Sequence, residues 1–179
     1  MKPILAIALG LLATSAAAEL PKGSKAPQFA TQAALGGKQM AFNLRAALRK
    51  GPVVLYFYPK SFTQGCTLEA RAFAEAMGQF KAAGASVVGM SADTIETQLK
   101  FSSEECRNAF PVGIATPAII NAYDVALVKQ DGSATGVTKR TSYVIARDGT
   151  IRFVHSDMDW REHVRLTLET VKAMKAAKR

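Results

Sequence analysis

Six consecutive residues, Val53-Val54-Leu55-Tyr56-Phe57-Tyr58, are apolar and β-rich, and the run halts at Pro59. A strand with no polar face has to be covered on both sides, which places it inside a sheet flanked by other layers. The period then changes. From Thr63 to Ala82 the residues Leu68, Ala72 or Phe73, Ala76 or Met77, and Phe80 form a helical stripe that Gly84 ends. Ser86 to Met90 reads as a second strand, and a right-handed crossover makes it parallel to the first. Asp93, with Glu96 three residues on, reads as the start of a helix that runs to about Arg107. Tyr143–Ile145 and Ile151–Val154 flank Asp148-Gly149, a hairpin signal, and Trp160, Val164, Leu168 and Val171 stripe a last helix capped by Asp157 or Asp159. Gly36-Gly37 turns between two shorter strand-like pieces, after an extended lead-in over 19–28. This order predicts an α/β fold: a mixed central sheet with helices on both faces.

The first eighteen residues lie outside that pattern. Met1-Lys2, an apolar stretch from Pro3 to Ala17, and Ala16-Ala17-Ala18 match a secretory signal peptide cleaved before Glu19. The expectation is one domain over 19–179, exported to the periplasm, with no membrane span after processing. Apolar residues at 49% of 179 give enough core for that domain to fold without staples. The net charge is +9, but the basic residues are scattered. The densest group, Lys172, Lys175, Lys178 and Arg179, suits a helix C-terminus. The charge therefore reads as solvating, with no nucleic-acid partner and an anionic surface as the weaker option.

Chemistry concentrates at Pro59-Lys60-Ser61-Phe62-Thr63-Gln64-Gly65-Cys66-Thr67-Leu68-Glu69. Cys66 falls in the first turn of the helix that follows the buried strand. Unpaired N–H groups and the positive end of the helix dipole gather there and favour a thiolate nucleophile. Thr63 can place a hydroxyl beside the sulfur, Gly65 leaves room for a substrate, and Pro59 can wall the pocket without adding a donor. The competing reading is a buried cysteine acting as a small hydrophobe. Polar neighbours at a strand-to-helix turn argue against it.

These residues resemble the peroxiredoxins, whose active-site pattern P-x-x-x-T-x-x-C is matched by Pro59, Thr63 and Cys66. The wider stretch from Tyr56 to Glu69, together with Ala26-Pro27-x-Phe29, Gly84 to Asp93, Phe110-Pro111, Ala122 to Val125 and Arg140 to Ile145, is similar to the bacterioferritin-comigratory or Q-type branch. The resemblance covers about residues 25–172 and implies a thioredoxin-like fold and a thiol-dependent peroxidase. It implies that Cys66 attacks hydrogen peroxide or a small organic hydroperoxide and becomes a sulfenic acid. Thr63 would hydrogen-bond the peroxide, and Arg140 would stabilise the thiolate and polarise the substrate. No metal or organic cofactor is implied, and a thioredoxin-like protein would supply the electrons. Without these flanking residues, Arg140 would read as a surface strand arginine.

The second cysteine is less settled. Many Q-type members carry a resolving cysteine five residues after the first, where this chain has Arg71. Others carry it on the helix after the second strand. Ser102 is nearer that position here, and Cys106 lies one turn later on the same face. An exported protein with two cysteines tends to pair them, so the expectation is a Cys66–Cys106 disulfide reached by local unwinding. The alternative is core: Ile95, Leu99, Ser102 and Cys106 share one stripe. The segment after Trp160 has no cysteine, so a swapped-tail dimer is not indicated and a monomer or weak dimer is expected. Glu69 either accepts a hydrogen bond near the site or only favours the helix N-terminus. His155 and His163 stand near Asp157, Asp159 and Glu162, but with no diagnostic ligand spacing. The rival readings are a thiol–disulfide oxidoreductase, which lacks its usual C-x-x-C, and a non-catalytic thioredoxin-fold binding module.

Overall fold

A computed structural model describes residues 19–177. The expected signal peptide over 1–18, and Lys178 and Arg179, lie outside the described residues. The elements in order are β1 (Ala30–Leu35), β2 (Lys38–Asn43), α1 (Leu44–Lys50), β3 (Val53–Phe57), α2 (Gln64–Ala82), β4 (Ser86–Ser91) and α3 (Ile95–Glu104). They continue as β5 (Val112–Ile114), α4 (Pro117–Tyr123), β6 (Ala126–Val128), β7 (Ala134–Thr138), β8 (Thr141–Ile145), β9 (Ile151–Ser156) and α5 (Arg161–Ala176). Seven strands form one mixed sheet in the order β2-β1-β5-β4-β3-β8-β9, and β6 and β7 make a separate ribbon. The apolar run is its interior strand β3, parallel to β4 and antiparallel to β8.

Alternation along β3 divides the core. Val54, Tyr56 and Tyr58 face a layer containing α2, α5 and the end of α3, where Phe73, Phe80, Phe101 and Val171 pack. Val53, Leu55 and Phe57 face α1 and α4, against Leu44, Leu48, Ile119 and Tyr123. Helices therefore cover both faces, as expected. Gly89, opposite Tyr56 in the register, makes this packing possible: a Cβ there would come within 2.7 Å of the tyrosine ring. That ring stacks on Phe73 with centroids 4.4 Å apart.

Several local expectations shift. Leu68 is 39% exposed, and the inner face of α2 instead carries Cys66, Glu69, Ala70 and Phe73. The residue that caps α3 is Thr94, whose hydroxyl accepts from the Thr97 N–H, because Asp93 is engaged elsewhere. That helix ends at Glu104, short of Arg107, since Arg107 and Asn108 adopt left-handed φ of 50° and 60°. Cys106 therefore lies past the helix in its closing turn rather than on the helical stripe. At α5 the capping position is Trp160, while the Asp159 carboxylate accepts from the Arg161 N–H at 3.1 Å. The short elements α1, β5, α4, β6 and β7 carry too few residues for a period to show in the sequence. Among the described residues no helix is long and apolar enough to cross a membrane.

Candidate active site

The loop from Tyr58 to Thr63 is tied down before α2 begins. The Tyr58 N–H donates to the Met90 carbonyl at 3.0 Å, and the Thr138 hydroxyl donates to the Tyr58 carbonyl at 2.8 Å. Asp93 Oδ2 accepts from the Ser61 N–H and the Ser91 hydroxyl, both at 2.7 Å, which is why it does not cap α3. The Tyr58 hydroxyl reaches Gln98 Oε1 at 2.8 Å. Pro59 is half-buried at the head of the loop. Phe62 has a left-handed φ of 63° and sets its ring edge-on against Phe101 with centroids 5.2 Å apart. Backbone in that region is strained for a phenylalanine, and the surrounding contacts hold it there.

This loop delivers Cys66 to the third residue of α2, 2% exposed, with Thr63 as the residue before the helix. The first hydrogen bond of the helix runs from the Thr67 N–H to the Thr63 carbonyl at 2.9 Å, so the N–H groups of Gln64, Gly65 and Cys66 have no partner within the helix. Thr63 is exposed, and its hydroxyl donates to the Lys60 carbonyl at 2.9 Å rather than to the sulfur. That bond uses the hydroxyl hydrogen and leaves the oxygen's lone pairs free to accept.

Arg140 immediately precedes β8 and is 4% exposed. Each nitrogen has its own acceptor. Nε donates to the Met158 carbonyl at 3.0 Å, Nη1 to Glu69 Oε2, and Nη2 to Cys66 Sγ at 3.5 Å. A planar guanidinium anchored on two sides has little freedom left, so it presents its third side to the sulfur in a set orientation. Gly65 eases the approach, since a Cβ there would sit 3.3 Å from Nη2, a tight contact. Burial opposes the charge on Arg140, but Glu69 and Cys66 outweigh it and its guanidinium titrates above its ordinary value.

Glu69 is fully buried one turn after Cys66. Burial pushes its carboxyl up from 4.5 to about 8, against the pull of Arg140. Its Oε1 has no hydrogen-bond partner and faces His163 Nδ1 at 3.9 Å. His163 Nε2 lies 2.9 Å from the Asp157 carbonyl and Nδ1 lies 2.8 Å from the Ser142 hydroxyl. A carbonyl can only accept, so Nε2 carries the hydrogen and Nδ1 accepts from Ser142. Burial lowers His163 to about 4, so it is neutral at neutral pH and offers Glu69 no charge. Arg140 thus supplies the positive charge at this buried site.

Cys106 is not in this cluster. It is 0% exposed, its N–H donates to the Phe101 carbonyl at 3.0 Å, and burial, aided by Glu105, pushes its thiol up. Both cysteines are free thiols in this structure. Ser102 is also buried, its hydroxyl oxygen accepting from the Gly37 N–H at 2.9 Å. The alternative in which Glu69 only favours the helix end does not match its place, because its carboxylate points inward onto Arg140. Sequence reasoning missed His163 and the Met158 carbonyl as supports of this cluster. Glu69's spacing of three from Cys66 was the one available signal for its inward direction.

The sequence pattern of the AhpC/TSA family matches residues 22–154. A chloroplastic peroxiredoxin Q from Sedum lineare is 29% identical over 164 residues, 88% of this chain and 81% of that protein. The crystal structure of peroxidoxin BcpB from Mycobacterium tuberculosis superposes with a TM-score of 0.75 at 31% identity, covering 86% of this chain and 97% of that one. Peroxiredoxin Q from Xanthomonas campestris superposes with a TM-score of 0.71 at 27% identity, over 80% and 90% of the two chains. The thioredoxin-like architecture of those neighbours is the one described above. The chain belongs to the AhpC/TSA family and is a peroxiredoxin, a thiol peroxidase of the kind found among its Q-type relatives.

Proposed function

We propose that Cys66 is the peroxidatic residue and reduces hydrogen peroxide and small organic hydroperoxides. The observation that carries this reading is the Arg140 nitrogen 3.5 Å from Cys66 Sγ, held in place by the buried carboxyl group of Glu69 and a backbone carbonyl. The thiolate attacks the terminal oxygen of ROOH. An S–O bond forms, the O–O bond breaks, and RO⁻ leaves as ROH by taking up the proton that the Cys66 thiol released on ionising, so that two electrons pass from sulfur to oxygen. Arg140 and the unpaired N–H groups of the first turn of α2 stabilise negative charge on the sulfur and then on the departing oxygen. Thr63, whose hydroxyl hydrogen is used on Lys60, accepts the peroxide hydrogen, and Pro59 shields the pocket.

Cys106 resolves the sulfenic acid. Its thiolate attacks Cys66 Sγ, an S–S bond forms, and water leaves. Full burial of Cys106 requires the end of α3 and the start of α2 to open first. The left-handed residues Phe62 on one segment and Arg107 on the other support such an opening because unwinding releases their strain. A thioredoxin-like dithiol then reduces the disulfide. The enzyme works as a monomer or weak dimer, exported to the periplasm under the direction of residues 1–18, and needs no cofactor.

The test follows intact mass after one equivalent of hydrogen peroxide is added to fully reduced protein, with Cys66→Ser and Cys106→Ser in parallel. Wild type should rapidly lose two hydrogens, Cys106→Ser should stop with one added oxygen on Cys66, and Cys66→Ser should stay unchanged. Wild-type oxidation at Cys66 no faster than an ordinary free thiol would overturn the peroxidatic assignment. Turnover unaffected by Cys106→Ser would remove its resolving role.

A further inference from the structure

Six of the basic residues that look scattered in the sequence, Arg45, Arg49, Lys50, Arg147, Lys172 and Lys175, gather at one pole of the fold. In the β3–β8 register, Phe57 and Thr141 mark the end nearest Cys66 and Arg140, and Val53 and Ile145 mark the opposite end. The C-terminal ends of α1, α2 and α5 all reach that opposite end, where three shallow depressions adjoin. Lys50, Arg147 and Lys175 line the middle one, Arg45 and Arg49 share Arg147 with it in the second, and Lys172 shares Lys175 with it in the third. Three of these cations spend their hydrogen bonds on uncharged groups. Arg147 donates to the Arg49 carbonyl, Lys172 to Gln79 Oε1 and Lys175 to the Ala82 carbonyl, all neutral acceptors. One carboxylate, Asp148, lines the second depression, and it is paired with Arg152. Helix-dipole compensation accounts for Arg49, Lys50 and Lys175, which lie in last turns. It does not account for Arg45, Arg147 and Lys172 on the same face.

We propose that this pole is a docking face for an anionic lipid surface. Charge complementarity selects an anion-rich partner, and the spread of the cations over three adjoining depressions suits a two-dimensional array of phosphates. Between the cations lie Ala83, Met174 and Ala176, small or flexible apolar groups that can rest against a headgroup layer while the long basic side chains reach outward. No aromatic residue lines these depressions, so the stacking platform of a single-strand nucleic-acid site is missing. Docking at this pole leaves Cys66 about 24 Å away along α2, sixteen residues before Ala82 and at the end turned from the surface.

The experiment is co-sedimentation with phosphatidylcholine vesicles, with and without about one-third phosphatidylglycerol, at an ionic strength of about 0.1 M. It uses the chain from Glu19 onward, which retains every contact described here and lacks the apolar residues 3–17 that would bind lipid on their own. Wild type should partition about tenfold or more better onto the anionic vesicles, and raised salt should abolish the preference. Arg147→Glu/Lys175→Glu should remove most of it, and Arg147→Gln/Lys175→Gln should give a smaller loss in the same direction. Lys100→Glu/Lys129→Glu, equal in charge change but away from this pole, should stay within about threefold of wild type. Equal losses in the two Glu pairs would show that net charge binds and would overturn the face. No preference for anionic vesicles would overturn the proposal outright. Tighter binding of a single-stranded oligonucleotide, lost in the Arg147/Lys175 variants, would replace lipid by nucleic acid.

Discussion

Cys66 and Cys106 are almost equally buried, at 2% and 0% exposure, and belong to the same core layer. Their electrostatic settings are opposite. Cys66 sits in the first turn of α2 with unpaired N–H groups around it and a guanidinium nitrogen at 3.5 Å. Cys106 sits past the C-terminal end of α3, where burial, and after it the charge of Glu105, pushes its thiol up. The difference teaches that burial alone does not set the electrostatic surroundings of a thiol. The orientation of nearby dipoles and one placed cation set them, and on the proposed reading they select which of the two meets peroxide in the folded state.

The largest expected effect comes from removing that cation. Arg140→Gln should slow oxidation of Cys66 by peroxide by about 10²–10³-fold, measured by stopped-flow, with Cys106 left as unreactive as in wild type. A loss under about threefold would mean that the helix end alone distinguishes the two cysteines.

A second effect concerns the carboxylate behind the arginine. Glu69 is raised from 4.5 to about 8, so the folded chain holds a proton that the unfolded chain has released. The stability this contributes is complete below about 4.5 and is lost as pH rises towards 8. His163, lowered from 6.5 to about 4, acts with the opposite sign, adding stability as pH rises through that interval. The two oppose each other below 6.5, and above it Glu69 acts without that opposition. Urea unfolding at pH 6.5 and pH 8 should therefore show a loss of up to about 2 kcal/mol, which Glu69→Gln should flatten.

A third test addresses the quieter cysteine. Cys106→Ser places a hydroxyl in an apolar setting and should cost about 1–2 kcal/mol in urea unfolding, with no change in the first oxidation of Cys66. A slowed first oxidation would mean that the two sites are coupled before any disulfide forms. The smallest effect is expected at Arg107→Gly. Relief of its left-handed backbone should stabilise the fold by about 0.5–1 kcal/mol and slow disulfide formation, because the folded end of α3 then stores less strain. Its ion pair with Glu75 is exposed and subtracts little.

Much of the frame was legible in the sequence because it is encoded by near neighbours. The all-apolar run over 53–58 set β3 inside the sheet, the change of period after Pro59 set α2, and Asp148-Gly149 set the β8–β9 hairpin. The place of Cys66 in the first turn of a helix followed from the same local signals. Boundaries that depend on competition between partners did not follow. Asp93 read as a cap, but the Ser61 N–H from a loop thirty-two residues earlier claims its carboxylate. Leu68 read as core, but the inward angle of α2 is set by its packing under Tyr56 and against α5, which turns Glu69 inward instead.

The sequence by itself determined the layered α/β plan and the turn that presents Cys66, since periodicity, turn residues and helix ends act over a few positions. Only the tertiary structure decided how that cysteine is surrounded. Arg140 lies 74 residues from Cys66 and 71 from Glu69, and they meet because β8 pairs with β3 in a register that brings Thr141 opposite Phe57. The basic pole arises in the same way, from three helix ends and the turn after β8 converging at the opposite end of those strands. Contacts of this range depend on strand order and register, which are properties of the assembled sheet.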